Sequence, residues 1–365
     1  MRENWEIRKL GDICTIKNGR GQKAVENPNG RYPIYGSGGI MGYADDYICE
    51  AGTTIIGRKG TINKPIFVDC AFWNVDTAFG LQPNTSTNPR FLFLLCKSVD
   101  FTRYNKSTTL PSLVKSDLLK IDVQVPPIAE QEKIVAELDC LSGIIEKKKQ
   151  QLEDLDILAQ SIFYDMFGDP IANEKGWKKM LLGEICAPKK SIERASKTYK
   201  ANETIHYIDI ASIDNSQAIL TGTTPYVFAE APSRAQQKVE KGDVLISLVR
   251  PNLRNIAMVE YGDSLLVASS GFCVLRAKDS NPRFIKAFAL TDGFTRYLTD
   301  RTAGANYPAV REEDIRACSL GVPPLDLQNE FAKKVEAIEK QKELVKRSIV
   351  ETETLFNSRM DFWFN

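Results

Sequence analysis

Two short words in this 365-residue chain set guanidinium, ammonium and amide groups close together. They are Gly57-Arg58-Lys59-Gly60, and Val249-Arg250-Pro251-Asn252-Leu253-Arg254 with Arg250, Asn252 and Arg254. An arginine fork matches the O6/N7 edge of guanine, and an asparagine amide matches the N6/N7 edge of adenine. Lysine serves better as a point charge against phosphate. The glycines beside Arg58 and Lys59 let the main chain approach a partner closely. Arg234, Gln236, Gln237 and Lys238 form a polar, basic loop of similar capacity, and Lys17, Arg20 and Lys23 lie in a flexible stretch suited to phosphate contact. For any one of these residues the plain alternative is a charge on a solvated surface.

Groups that could carry a reaction are sparse. The chain has one histidine, His206, so neither a His-based triad in each half nor a His-rich metal site can be built, and a structural role is expected for it. Gly36-Ser37-Gly38-Gly39 lacks the Gly-Lys-Ser/Thr continuation of a phosphate-binding P-loop. Asn88-Pro89-Arg90-Phe91 looks like the Asn-Pro-Pro-aromatic word of amino-methyltransferases, but Arg90 replaces the second proline and no glycine-rich cofactor loop precedes it. Asn before Pro is instead the expected start of a helix. Glu146-Lys147-Lys148 fits a nuclease Glu-x-Lys fragment, yet it falls in a helical heptad pattern, where a solvated face is expected. The eight cysteines include no CxxC pair, which argues against a zinc site or disulfide framework and for a reducing cytoplasm. Cys14 and Cys186 read as small buried hydrophobes. No catalytic residue, metal or cofactor is expected.

The elements that must position the basic words come in two copies. Trp5, Leu10, Gly11, Asp12, Ile13 and Cys14 recur as Trp177, Leu182, Gly183, Glu184, Ile185 and Cys186, at an offset of 172. Asn88–Phe91 and Phe101-Thr102-Arg103-Tyr104 recur at 193, and Val125-Pro126-Pro127 recurs at 197 as Val322-Pro323-Pro324. The drift marks insertion inside equivalent units, which would handle two similar targets. Short β-rich runs, such as 53–56, 66–68, 243–246 and 256–259, alternate with helical stretches at 91–96 and 284–290, giving a mixed α/β (α+β) class. The glycine-rich stretch 19–42 reads as loop and hairpin, and Thr108-Thr109-Leu110-Pro111 and Asn306-Tyr307-Pro308 as equivalent supporting loops.

After each Pro-Pro comes a heptad pattern. Ile134, Leu138, Leu141, Ile145, Lys148, Leu152, Leu155, Ala159, Ile162 and Met166 follow 4-3 spacing, as do Phe331, Val335, Ile338, Lys342, Val345, Ile349, Thr352 and Phe356. About 38 residues would span roughly 57 Å. An antiparallel coiled coil within the chain is expected, with packing of each helix on its own domain or on another chain as the alternatives. Phe356, Phe362, Trp363 and Phe364 could pair between copies or pack on the first module. The resulting division is 1–125, first module; 126–170, first helix; 171–322, second module; 323–365, second helix. The modules carry net +4 each and the helices −6 and −1, so a net charge of +1 hides two basic modules suited to a polyanion. No stretch approaches the length of an apolar membrane span.

This arrangement resembles, across essentially the whole chain, the specificity subunit of type I restriction–modification systems. The motifs that carry the resemblance are Trp-x-x-x-x-Leu-Gly-Asp/Glu-Ile opening each module and Pro-Pro-x-x-x-Gln-x-x-[Ile/Phe] closing it, here through Gln131 and Ile134, and Gln328 and Phe331. Tyr32-Pro33-Ile34-Tyr35-Gly36 with Ile56–Gly60 looks like one type of target-recognition domain. Gly242–Ser247 followed by Val249–Arg254 looks like another. The resemblance implies a non-catalytic subunit whose two domains read a bipartite, asymmetric site in double-stranded DNA. The helices would act as a ruler, with half-sites near one helical turn apart, roughly 34–36 Å. Two methyltransferase (M) subunits would modify adenine N6 using S-adenosylmethionine, and restriction/translocase (R) subunits would join for cleavage. A coiled-coil scaffold whose modules bind protein has the same outline, and salt-dependent DNA affinity separates the two readings. A fused DNA-modifying enzyme would need a cofactor loop and catalytic tetrapeptide that the sequence lacks.

Overall fold

The Leu-Gly-Asp/Glu-Ile word recurs because it is a joint. In the computed structural model, which describes residues 4–262, 265–303 and 308–364, strand Glu6–Lys9 pairs antiparallel with Asp122–Val125. A single helical turn, Leu10–Ile13, follows at once. Leu10 N donates to Ile121 O at 2.8 Å and Gly11 N to Leu119 O at 3.1 Å, while the Asp12 carboxylate accepts from Lys9 N at 3.0 Å. A Cβ on Gly11 would stand 2.9 Å from Leu119 Cδ2 and 3.2 Å from Leu119 O, a close approach that glycine leaves unstrained. The second copy repeats each contact: Lys178–Leu181 pairs with Ser319–Val322, Leu182 N reaches Cys318 O at 2.8 Å, Gly183 N reaches Arg316 O at 2.8 Å, and Glu184 accepts from Leu181 N at 2.6 Å.

The chain divides into two compact units, Met1–Gln150 with Val345–Asn365, and Gln151–Leu344. The first holds a four-stranded antiparallel sheet in the order Cys14–Asn18, Ala78–Pro83, Thr53–Gly57, Ile66–Val68, and a three-stranded sheet of Gly39–Ala44, Tyr32–Gly36 and Trp73–Asn74. The glycine-rich segment thus contributes the hairpin Tyr32–Ala44. Thr53–Gly57 lies inside its sheet and is buried at every residue. The second unit holds a four-stranded sheet in the order Thr224–Val227, Thr204–Ile208, Leu266–Ser269, Ala235–Lys238, and a three-stranded one centred on Val244–Ser247, also buried throughout. Its core gathers Phe163, Phe167, Phe284, Phe288, Phe294 and Phe331.

Asn88 and Asn281 cap the helices Pro89–Ser98 and Pro282–Ala289, their side chains accepting from Arg90 N and Arg283 N at 2.9 Å each. Each cap is tied to the glutamine of the Pro-Pro-x-x-x-Gln word. Gln131 accepts from Asn88 N at 2.8 Å and donates to Pro126 O at 2.9 Å; Gln328 accepts from Asn281 N and donates to Pro323 O, both at 2.8 Å. The arginines of the same motif reach the long helices: Arg90 pairs with Asp139 at 2.5 Å, and Arg283 with Glu339 at 2.5 Å and Glu336 at 3.4 Å. The Asn-Pro-Arg-Phe words therefore fasten a module to its helix.

The long helices, Ile128–Phe167 and Leu325–Phe364, are 40 residues each. Within each unit their segments run antiparallel. In the first unit Glu137 pairs with Arg359, and Lys148 Nζ donates to Ser348 O at 3.2 Å and Thr352 Oγ1 at 3.0 Å. In the second, Lys342 pairs with Asp156 at 2.5 Å and the Phe163 and Phe331 rings lie 5.5 Å apart. Of the heptad residues in the first unit, Ile134, Leu138, Ile145, Val345, Ile349 and Phe356 are buried and Leu141 half-buried. In the second, Phe331 and Ile338 are buried and Leu152, Leu155, Ile162 and Val335 half-buried. The C-terminal aromatics pack within the first unit: the Phe364 and Phe91 rings are 5.6 Å apart, and Trp363 Nε1 donates to Glu137 Oε2 at 3.0 Å.

Candidate nucleic-acid interface

In the first unit, segment 74–78 brings the basic words together. Gly19 N donates to Ala78 O, Arg20 N to Asn74 O, and Arg58 N and Lys59 N both to Thr77 O. The hairpin joins them, Val75 N donating to Tyr35 O at 2.9 Å. Gly60 N donates to Pro111 O at 2.9 Å and Leu113 N to Arg58 O at 2.9 Å, which is the supporting role expected of the 108–111 loop.

The second unit repeats this construction. Leu248 N donates to Gly271 O, Ser270 N to Arg234 O, Arg250 N to Pro308 O at 2.7 Å, and Val310 N to Leu248 O at 2.8 Å. Isolated bridges fix the correspondence: Lys59 with Ser112 in one unit, Val249 with Ala309 in the other. Position 60 of the first unit is therefore position 250 of the second. Residues 235–238, expected as a loop, instead form an edge strand paired with Leu266–Ser269, and Arg234 and Leu248 are both tied to segment 270–271. Asn306 and Tyr307 lie outside the described residues.

Of the predicted contact residues, Arg20, Lys23, Lys59, Arg234, Gln236, Arg250 and Asn252 are exposed, Gln236 donating to Ser233 O at 2.9 Å. The other four are half-buried and make contacts within the fold. Lys17 Nζ donates to Ile48 O at 3.1 Å. Arg58 donates to Asp76 O at 3.3 Å and lies over the Phe79 ring. Lys238 pairs with Glu193 at 3.1 Å, and this hydrogen bond raises its pKa above the ordinary lysine value. Arg254 donates to Leu290 O at 3.3 Å and pairs with Asp292. Leu253, 41% exposed between Asn252 and Arg254, and the bracing segments 74–78 and 269–271 escaped the sequence reading.

His206 is half-buried on strand Thr204–Ile208, its Nδ1 3.1 Å from Thr223 Oγ1. Burial pushes the Cys14 and Cys186 thiols up to about 12. Among the described residues no group of three or more His, Cys, Asp or Glu side chains could hold a metal ion. No described helix is long and apolar enough to cross a membrane.

The sequence profile of the Type I restriction modification DNA specificity domain matches residues 2–154 and 174–354. The type I restriction enzyme MjaVIII specificity subunit of Methanocaldococcus jannaschii is 22% identical over 92% of this chain and 86% of its own length. The EcoDI specificity subunit of Escherichia coli is 18% identical over 92% and 81%. Among solved structures, the type I restriction–modification S subunit from M. genitalium superposes with a TM-score of 0.57 at 15% identity, covering 99% of this chain and 96% of that one. A chain from work on complex assembly and conformational transition of the type I R–M system also gives 0.57, at 19% identity over 99% and 97%.

Proposed function

Because this chain belongs to the type I restriction–modification DNA specificity domain family, whose profile covers both repeats, we propose that it addresses partner subunits to a bipartite, asymmetric site in double-stranded DNA. Recognition domains over 1–125 and 171–322 each read one half-site, and the helices over 126–170 and 323–365 set the number of base pairs between them. The observation that carries this reading is one main-chain frame, built twice, that presents different side chains: Arg58-Lys59-Gly60 on one copy and Val249-Arg250-Pro251-Asn252 on the other. Equal frames dock on DNA alike, and unequal side chains read unequal sequences.

The exposed cations Arg20, Lys23, Lys59 and Arg234 suit phosphate, fixing register and orientation, while Arg250 and Asn252 suit base edges. Lys17, Arg58, Lys238 and Arg254 shape the face from within. The chain supplies the address and partners the chemistry: two methyltransferase subunits modify adenine N6 in the cytoplasm, and restriction/translocase subunits join for cleavage. Co-expression with the neighbouring methyltransferase subunit, followed by single-molecule mapping of N6-methyladenine, tests this. A bipartite methylated motif that disappears when this gene alone is deleted is the expected result. No motif, with an intact methyltransferase present, would instead favour a scaffold that binds protein.

A further inference from the structure

Resting on that reading, we propose that Arg250 is a specificity-determining residue of the second unit, reading a guanine from the main-chain position that Gly60 occupies in the first. Both residues follow a buried strand, and both donate their N–H to the proline carbonyl of an equivalent loop, at 2.9 Å to Pro111 and 2.7 Å to Pro308. Both are left-handed, with φ of +82° and +49°. Glycine adopts this conformation freely, whereas an L side chain there is strained. The first unit shows that glycine meets the main-chain requirement of this position. What arginine adds is therefore its side chain, held at a place where the main chain disfavours one.

The surroundings make the position rigid. Pro251 is buried, Leu253 N donates back to Arg250 O at 2.9 Å, and Asn215 Nδ2 donates to Leu253 O at 2.8 Å. Arg254 is committed to Leu290 O and Asp292, so it braces the loop from behind. Arg250 and Asn252 are the exposed hydrogen-bonding residues of the word. A rigid loop carrying an arginine loses little freedom on docking, and the planar fork matches guanine O6 and N7 together.

The test presents randomised double-stranded DNA to the full chain bound to its methyltransferase partner, and sequences what is retained. Wild type should enrich a bipartite motif. Arg250→Gly, which keeps the main-chain hydrogen bond and relieves the strain, should melt no lower than wild type. It should lose roughly tenfold or more of the discrimination at one G·C pair of one half-site, leaving the other half-site intact. Arg250→Lys should restore that discrimination only in part, because an ammonium can reach guanine O6 and N7 but lacks the planar fork. An unchanged motif in Arg250→Gly, or a uniform loss across all sequences, would each overturn the assignment. A wild-type complex that enriches no motif would overturn the functional reading itself, and the two failures are thereby told apart.

Discussion

Replacing Gln131 by leucine removes a pair of hydrogen-bonding atoms from the point where the first module meets its helix. The side chain is 1% exposed; it accepts from Asn88 N at 2.8 Å and donates to Pro126 O at 2.9 Å and Ser86 O at 3.3 Å. Leucine fills nearly the same volume, so no large cavity opens. Ser86 is exposed and its carbonyl can turn to water, which leaves two main-chain groups unpaired in a site closed to solvent. At about 1–3 kcal/mol each, less about 1 kcal/mol for the apolar gain, the net loss should be about 1–5 kcal/mol. For a unit of this size that corresponds to roughly 2–20 °C in its melting transition. Hydrogen exchange gives the local readout: the Asn88 amide and the first turn of helix Pro89–Ser98 should lose protection in Gln131→Leu. Gln328→Leu, which strands Asn281 N, Pro323 O and the Ser280 hydroxyl, should do the same in the second unit. A change below about 0.5 kcal/mol with protection intact would refute the claim that this glutamine is the fastening.

In the helix pair, Lys148→Met and Thr352→Val should each destabilise the first unit by about 1 kcal/mol, and the double variant by less than the sum. A coupling within about 0.3 kcal/mol of zero in a double-mutant cycle would dismiss the Lys148–Thr352 contact. Glu137 is held below its ordinary carboxyl value chiefly by its hydrogen bond with Arg359, with Trp363 contributing. A depressed folded pKa gives stability that is present above the unfolded value, near 4.5, and lost as pH falls through the folded one. Melting curves of wild type and Glu137→Gln should therefore differ at neutral pH and converge in acid; a constant difference would count against the pair. Of the eight cysteines, Cys70 and Cys140 are exposed and the other six buried, so native alkylation should label those two first. Labelling of Cys14 or Cys186 at the rate of Cys140 would contradict their burial.

Much of this architecture is legible because it is written in local pattern. The heptads of 134–166 and 331–356 need only period and Pro-Pro boundaries, and the Asn88 and Asn281 caps need only their own tripeptides. What local pattern omits is partnership. Nothing in the sequence near Arg254 announces Asp292, and nothing near Lys238 announces Glu193, so cations that serve the fold look the same as cations that face outward. The correspondence of Gly60 with Arg250 was hidden for another reason. The residue types differ, and it is the bridges Lys59–Ser112 and Val249–Ala309, with the hydrogen bonds to Pro111 and Pro308, that mark the positions as one. The order of strands in each sheet is likewise set by pairing between residues far apart in sequence.

The composition of the first unit, residues 1–150 with 345–365, has a consequence for biosynthesis. As the chain leaves the ribosome, the second unit is complete once residue 344 has emerged, because 151–344 is one continuous stretch. The first unit, although translated earlier, still lacks the last twenty or so residues. Until they arrive, Ile134, Leu138 and Ile145 have no Val345, Ile349 or Phe356 to cover them, and Glu137 has no Arg359. The half that begins first is thus finished last, and its apolar stripe waits uncovered while nearly 200 further residues are made.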